Sequence, residues 1–308
     1  MRFVPLSTAP SFLLDRNVRA SAIMLSAIAI ASWMAVLIRF LGDTYSPFQL
    51  VLVRSAFMLI VLLPLLLRSG YQILRTNRPG LMLIRGVLGF AGQVFGVLAI
   101  LNLPLAEAQA IGFTKGFIVA MLGMALLKED VTLVRWTAIL LGFLGVLLVV
   151  NPGHGMNWSA LYALGSAGCF AVNTIIMKIL VATHTRQALM TYSAVLQFAF
   201  ACIPALLVWQ QPLGIDWVWF AGMGLIALIV QPLNLTAYRM GDVSALAPVD
   251  FCRLLTSAAI GYWIFSEVPD LIFWLGAALI VCANLLPIYV ARQKPVSAAE
   301  PTNQGTVI

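Results

Sequence analysis

Two basic side chains stand where a chain this apolar has least use for them. Lys115 lies in "FTKGFIVAMLGMALLKED", which begins at Phe113, and Arg253 lies in "FCRLLTSAAIGYWIFSEVPD", which begins at Phe251. The stretches start 138 residues apart, so the two cations hold equivalent positions. A Lys or Arg at the centre of a membrane-spanning helix costs about 2.5–3.5 kcal/mol on insertion scales. Snorkelling does not relieve it, because the midplane is roughly 15 Å from either interface. Each cation therefore needs water or an anion. Asp250 lies three residues before Arg253 on the same helix face, which leaves both a structural ion pair and a solute contact open for Arg253. Lys115 has no acid three or four residues away. Glu107 is about 12 Å along a helix axis from it. Lys115 is thus expected to line a solute path, and Asp250 and Glu107 are candidate proton-coupling carboxylates.

Amides raise the same question in milder form. Gln93 and Gln231 are also 138 residues apart, in the middle of apolar runs. A buried amide must find hydrogen bonds or lose several kcal/mol, through interhelical bonding or through a bound solute. Asn173 and Trp33 are weaker binding candidates of this kind. Arg54 is expected to pair with a helix-end acid or with backbone carbonyls. Glu129 and Glu267, again 138 residues apart, fall at helix ends and are expected to bond backbone groups of a neighbouring helix.

Other chemistries lack their parts. "RGVLGFAGQVFG" has the glycines of a phosphate loop but no GK[ST] after it, and small residues at this spacing let helices pack closely. No Walker motif is present, so ATP-driven transport by this chain is not expected. His154 and His184 lie in separate loops, and no HExxH occurs. Cys169, Cys202, Cys252 and Cys282 sit in apolar runs without a CxxC pair and read as small core residues. An enzyme, a metal site and a cofactor are therefore not expected, and no channel filter sequence is recognisable.

The elements that must hold these residues are membrane helices. The chain has 308 residues, 62% hydrophobic and 9% charged, against about 25% charged in soluble domains. Apolar runs broken by turn residues predict ten transmembrane helices near 18–41, 47–67, 82–101, 104–127, 132–150, 158–181, 187–209, 217–238, 243–265 and 271–291. Residues 1–17 and 292–308 read as cytoplasmic ends, the latter a disordered tail. With the N-terminus inside, fourteen Lys and Arg fall at inner ends and only Arg39 at an outer one. That bias predicts a multi-pass protein of the inner (plasma) membrane with both termini cytoplasmic. It also accounts for the net charge of +7 without a nucleic-acid partner.

The fixed offset extends along the chain. Ser21/Ser159, Gly86/Gly224, Phe113/Phe251, Gly123/Gly261 and Trp136/Trp274 match without gaps. Two repeats, 18–150 and 151–291, each hold five helices. An odd number turns the second over, giving an all-α integral membrane protein of two inverted five-helix repeats. Such repeats recur in secondary transporters, with the solute site near the midplane between them.

Two five-helix repeats whose fourth helices close with "ALLKED" and "IFSEVPD" resemble the EamA group of the drug/metabolite transporter superfamily. "SPFQLVLVRSAF" (46–57) is similar to that family's second helix, where Pro starts the helix and Arg follows. The resemblance covers roughly residues 18–291. It implies an alternating-access carrier, with a central cavity lined mainly by the first, third, fourth, sixth, eighth and ninth helices. The fifth and tenth helices are implied to be peripheral. The family handles amino acids and their derivatives, vitamins, nucleotide-like metabolites and sugars. The expected function is secondary transport of a small polar organic metabolite. An amino acid or derivative leads, with a vitamin such as riboflavin or a nucleoside-like metabolite such as S-adenosylmethionine as the alternative. Two central cations call for a carboxylate or phosphate on the substrate, and a zwitterion would satisfy both them and Asp250. The remaining partner is the lipid bilayer, and the protein is expected as a monomer or homodimer.

Overall fold

The computed structural model describes residues 11–69, 76–127, 133–150, 158–181, 183–240, 246 and 249–293, which are almost wholly helical and contain no strand. The helices are α1 (Ser11–Gly42), α2 (Pro47–Ser69), α3 (Pro79–Asn102), α4 (Leu105–Gly112), α5 (Thr114–Leu127), α6 (Leu133–Val150), α7 (Ala160–Val181), α8 (Arg186–Leu207), α9 (Asp216–Met240), α10 (Cys252–Phe265) and α11 (Leu271–Gln293). Their ends follow local chemistry. Pro47 and Pro79 open α2 and α3, where a missing N–H is no loss. Thr185 caps α8 by accepting the Ala188 N–H at 3.3 Å, and Asp270 accepts the Phe273 N–H at 2.7 Å to start α11.

The protein is an all-α integral membrane protein. Five described stretches, Val18–Gly42, Pro79–Asn102, Leu105–Gly123, Ala160–Met177 and Asp216–Asn234, are long and apolar enough to cross a membrane. Five shorter apolar helices, Pro47–Ile60, Trp136–Val150, Thr191–Leu207, Cys252–Phe265 and Leu271–Leu286, complete a set of ten. Large apolar side chains face outward around them, Trp263 at 81% exposure among the most extreme, as lipid contact requires.

The largest helix interfaces run between the repeats. α1 packs on α9, α3 on α7, α2 on α8 and α6 on α11. The α1–α9 and α3–α7 pairs exchange under the repeat relation, and the other two map onto themselves, as a pseudo-two-fold axis demands. The closest of these contacts needs glycine. A Cβ on Gly276 would lie 2.7 Å from the Gly145 carbonyl oxygen, and one on Gly145 would lie 2.8 Å from that of Gly276.

One departure from the predicted elements matters for the site. The fourth segment is not one helix but two, α4 and α5, which part at Phe113. Around it the Gly116 N–H bonds the Phe113 carbonyl at 3.1 Å, three residues back rather than four. Gly112 and Gly116 lower helix propensity here, and the Thr114 hydroxyl bonds the Ile111 carbonyl. The ninth segment turns at the equivalent Phe251, where the Leu254 N–H bonds the Phe251 carbonyl at 3.0 Å. The two phenyl rings meet with centroids 4.9 Å apart.

The glycine contacts make a signed prediction. Gly276→Ala should lower the thermal unfolding midpoint in detergent, because the methyl meets backbone that cannot rotate away. Gly168→Ala, inside α7 with nothing within 4 Å of its Cβ, should raise it, since alanine is favoured over glycine in helices by roughly 1 kcal/mol of stability. Equal midpoints for both variants would contradict this packing.

Candidate functional site

A cavity of about 710 Å³ opens between the repeats, lined mainly by α1, α3, α4, α5, α7 and residues 250–253. Single residues of α2 and α11, Arg54 and Asn284, complete its wall. Both turns at Phe113 and Phe251 lie on it. Lys115 and Arg253 are therefore not at the centres of continuous helices but in the first turns of α5 and α10. The N-terminal end of a helix carries partial positive charge, so a cation there is doubly in want of an anion. Asp250 supplies part of it, with its Oδ1 3.3 Å from Arg253 Nη2. The pair lacks hydrogen-bond geometry, since neither Asp250 Oδ1 nor Arg253 Nε has a hydrogen-bond partner. The Lys115 ammonium lies 5.9 Å from the centroid of the Phe170 ring, a cation–π distance. The cavity thus joins three phenyl faces, Phe113, Phe170 and Phe251, to three cations, Arg54, Lys115 and Arg253, and one carboxylate, Asp250.

The other candidate residues separate. Gln93 lines the cavity and donates to Gln197 Oε1 at 2.6 Å. Gln197, an amide in the apolar run of α8, was legible as polar but not as Gln93's partner. Asn173 is not among the lining residues. Its Oδ1 accepts from Arg85 Nε at 3.2 Å, and Arg85 also donates to the Leu189 carbonyl at 2.8 Å, tying α3 to α7 and α8. Trp33 is 54% exposed and not among the lining residues, because its position on α1 turns it toward lipid. Glu107 is half-buried and also outside the lining. Gln231 is on α9 with its side chain outside the described residues, and Glu129 lies outside them altogether. No residue of α9 lines the cavity among the described residues, although the resemblance placed the eighth helix there. Asn284 does line it, from the segment implied to be peripheral. A Cβ on Gly116 would come within 2.8 Å of Asn284 Oδ1, so the glycine lets α11 reach the wall.

Glu267 and Arg39 form a clasp at one end of the cavity. Pro104 interrupts α3 and α4 and leaves the last carbonyls of one and the first N–H of the other unpaired. Arg39 donates to the Ile100 carbonyl at 2.8 Å, to the Leu103 carbonyl and to Glu267. The second Glu267 oxygen accepts the Leu105 N–H at 2.8 Å. Arg39 also lies over the Phe265 ring at 4.6 Å. One ion pair therefore binds the first repeat's α1 and α3–α4 corner to the end of the second repeat's α10.

Comparison with known proteins agrees with this architecture. Residues 19–151 and again 157–288 match the EamA-like transporter family. A protein of Rickettsia felis named S-adenosylmethionine uptake transporter is 29% identical, over 84% of this chain and 88% of its own. A riboflavin transporter of Vibrio cholerae is 31% identical over 75% and 78%, and a pseudopaline exporter of Pseudomonas aeruginosa 26% over 85% and 94%. A solved crystal structure with 19% identity has a TM-score of 0.62 over 89% of this chain and 98% of that chain, which shows a shared fold.

The clasp predicts an order of stabilities. Glu267→Ala removes the half-buried ion pair and the acceptor for Leu105, and leaves Arg39 without its carboxylate. Glu267→Gln keeps an acceptor for the N–H and should lose less. Thermal unfolding that ranks wild type above Gln above Ala supports the clasp, and three coincident midpoints would contradict it.

Proposed function

The chain belongs to the EamA-like transporter family, whose two repeats it carries, and we propose that it is a secondary carrier of a nucleoside-like metabolite bearing charged groups. S-adenosylmethionine represents that class. The chain is a small-metabolite transporter and not an enzyme. One observation carries the finer reading: a single cavity between the repeats offers aromatic faces beside charges of both signs. Phe113, Phe170 and Phe251 suit a flat heteroaromatic ring, the cluster of cations suits a carboxylate, and Asp250 suits a cationic group. The volume, about 710 Å³, lies within the roughly 300–1,000 Å³ of pockets that enclose such molecules and leaves room beyond a free amino acid. The amino-acid reading drawn from charge alone therefore yields to the nucleoside-like one. The relatives named for S-adenosylmethionine uptake support the same choice.

Riboflavin is the second reading, favoured by the relatives named for its transport. Its ring system fits the aromatic faces, but its uncharged ribityl chain leaves the cavity's cations without an anion.

Transport then proceeds by alternating access. The repeats tilt about the Phe113–Phe251 contact, and the site faces each side of the membrane in turn. Asp250 binds the cationic group or a coupled proton. The fourteen-to-one bias of Lys and Arg toward inner ends supports an orientation with both termini cytoplasmic.

Counterflow in proteoliposomes tests the reading. Labelled S-adenosylmethionine should enter against its own unlabelled pool, saturably, and Lys115→Ala should slow it at least tenfold with expression unchanged. Exchange of methionine or riboflavin without S-adenosylmethionine would overturn the proposed class. Flux that never saturates would overturn the carrier.

A further inference from the structure

Four arginines of the described helices can be sorted by what holds them. Arg39 has Glu267 and two carbonyls, Arg85 has Asn173 and the Leu189 carbonyl, and Arg253 has Asp250. Arg54 has no hydrogen-bond or ion-pair partner among the described residues, yet it lines the cavity. It lies seven residues beyond the start of α2, about 10 Å along the helix axis. The expectation that it pairs with a helix-end acid or a backbone carbonyl therefore finds no support. A guanidinium is always charged, and in a membrane interior it must be met by an anion or by water.

The cavity's charges leave it unmet. Three cations, Arg54, Lys115 and Arg253, face one carboxylate, Asp250, which among the described residues lies within ion-pair distance of Arg253 alone, at 3.3 Å. Lys115 keeps company with the Phe170 ring. Arg54 is left as the planar, two-pronged donor that matches the two oxygens of a carboxylate or phosphate.

Repeat symmetry sharpens its role. Lys115 and Arg253 are repeat mates and keep the charge, and Glu129 and Glu267 keep theirs. Arg54 corresponds to Tyr192 in the second repeat, so no structural need common to both halves explains it. A solute occupying a two-fold site must choose one orientation, and a feature present in only one half is what sets it.

The structure assigns to Arg54 an anion seat that takes the carboxylate or phosphate group of the transported metabolite and orients it against the Asp250 side of the cavity. The inference rests on the carrier reading above but does not require S-adenosylmethionine as the solute.

Residue-specific footprinting tests it on the full chain in nanodiscs. Phenylglyoxal modification of Arg54 is read by mass spectrometry, with S-adenosylmethionine, its decarboxylated form, riboflavin, riboflavin 5′-phosphate, succinate or inorganic phosphate present. The expected result is an Arg54 that reacts when alone and is slowed at least tenfold more by S-adenosylmethionine than by its decarboxylated form. Protection by succinate, phosphate or riboflavin 5′-phosphate, without protection by S-adenosylmethionine, keeps the seat and overturns the nucleoside-like substrate. An Arg54 that is unreactive alone is already held by the protein and overturns the seat. So does equal protection by each oxyanion-bearing molecule and its counterpart without that oxyanion. In parallel, ligand-induced thermal shifts should show the preference for the carboxylate form retained in part by Arg54→Lys and abolished in Arg54→Gln, with both ligand-free midpoints near wild type. A preference that survives in Arg54→Gln overturns the assignment.

Discussion

A fixed positive charge at the N-terminal end of a helix inside a membrane has no remedy within that helix, because its own dipole repels the charge that its side chain carries. This constraint shapes the centre of the molecule. Lys115 and Arg253 both sit in such a first turn, where α5 and α10 begin after the Phe113 and Phe251 turns. The turns make the problem and also its solution. They bring two half-helices to one cavity, where water, Asp250 and a solute can reach both cations. The surrounding packing then holds the cavity open, with α1, α3 and α7 as walls, α9 backing α1, and α6 on α11 as a glycine-sealed buttress.

The clasp at Arg39 and Glu267 shows the same economy in a structural setting. Pro104 frees backbone groups of two helices, and a single ion pair answers them with donors from Arg39 and an acceptor from Glu267. The elements it joins come from different repeats, and Arg39 and Glu267 are not among the residues that line the central cavity with Lys115, Asp250 and Arg253.

Much of this was legible in the chain because the repeat is ungapped. Lys115 and Arg253 stood out as charges in apolar runs, only Arg253 with an acid at helix spacing, and the offset alone made them repeat mates. The family and the all-helical membrane fold follow from ten apolar runs and the two helix-closing motifs. The turn at Phe113 was not legible, since one hydrogen bond shifted from the fourth residue back to the third leaves hydropathy unchanged. Nor was the rotation of each helix. Trp33 and Arg54 are both polar-tipped residues on apolar segments, but α1 turns the first to lipid and α2 turns the second to the cavity. Gln197 and Arg39 needed a third dimension as well, because their partners lie on helices distant in sequence.

The account stands most directly on Lys115 facing a hydrated, anion-binding cavity. In a chain with Cys169, Cys202, Cys252 and Cys282 replaced by alanine, Lys115→Cys can be labelled in proteoliposomes with an anionic, membrane-impermeant methanethiosulfonate. The account predicts labelling at position 115, slowed by S-adenosylmethionine, and no such slowing at a cysteine placed at Trp33. A cysteine at 115 that the water-borne reagent never reaches, or that reacts at one rate whatever solute is added, would contradict it.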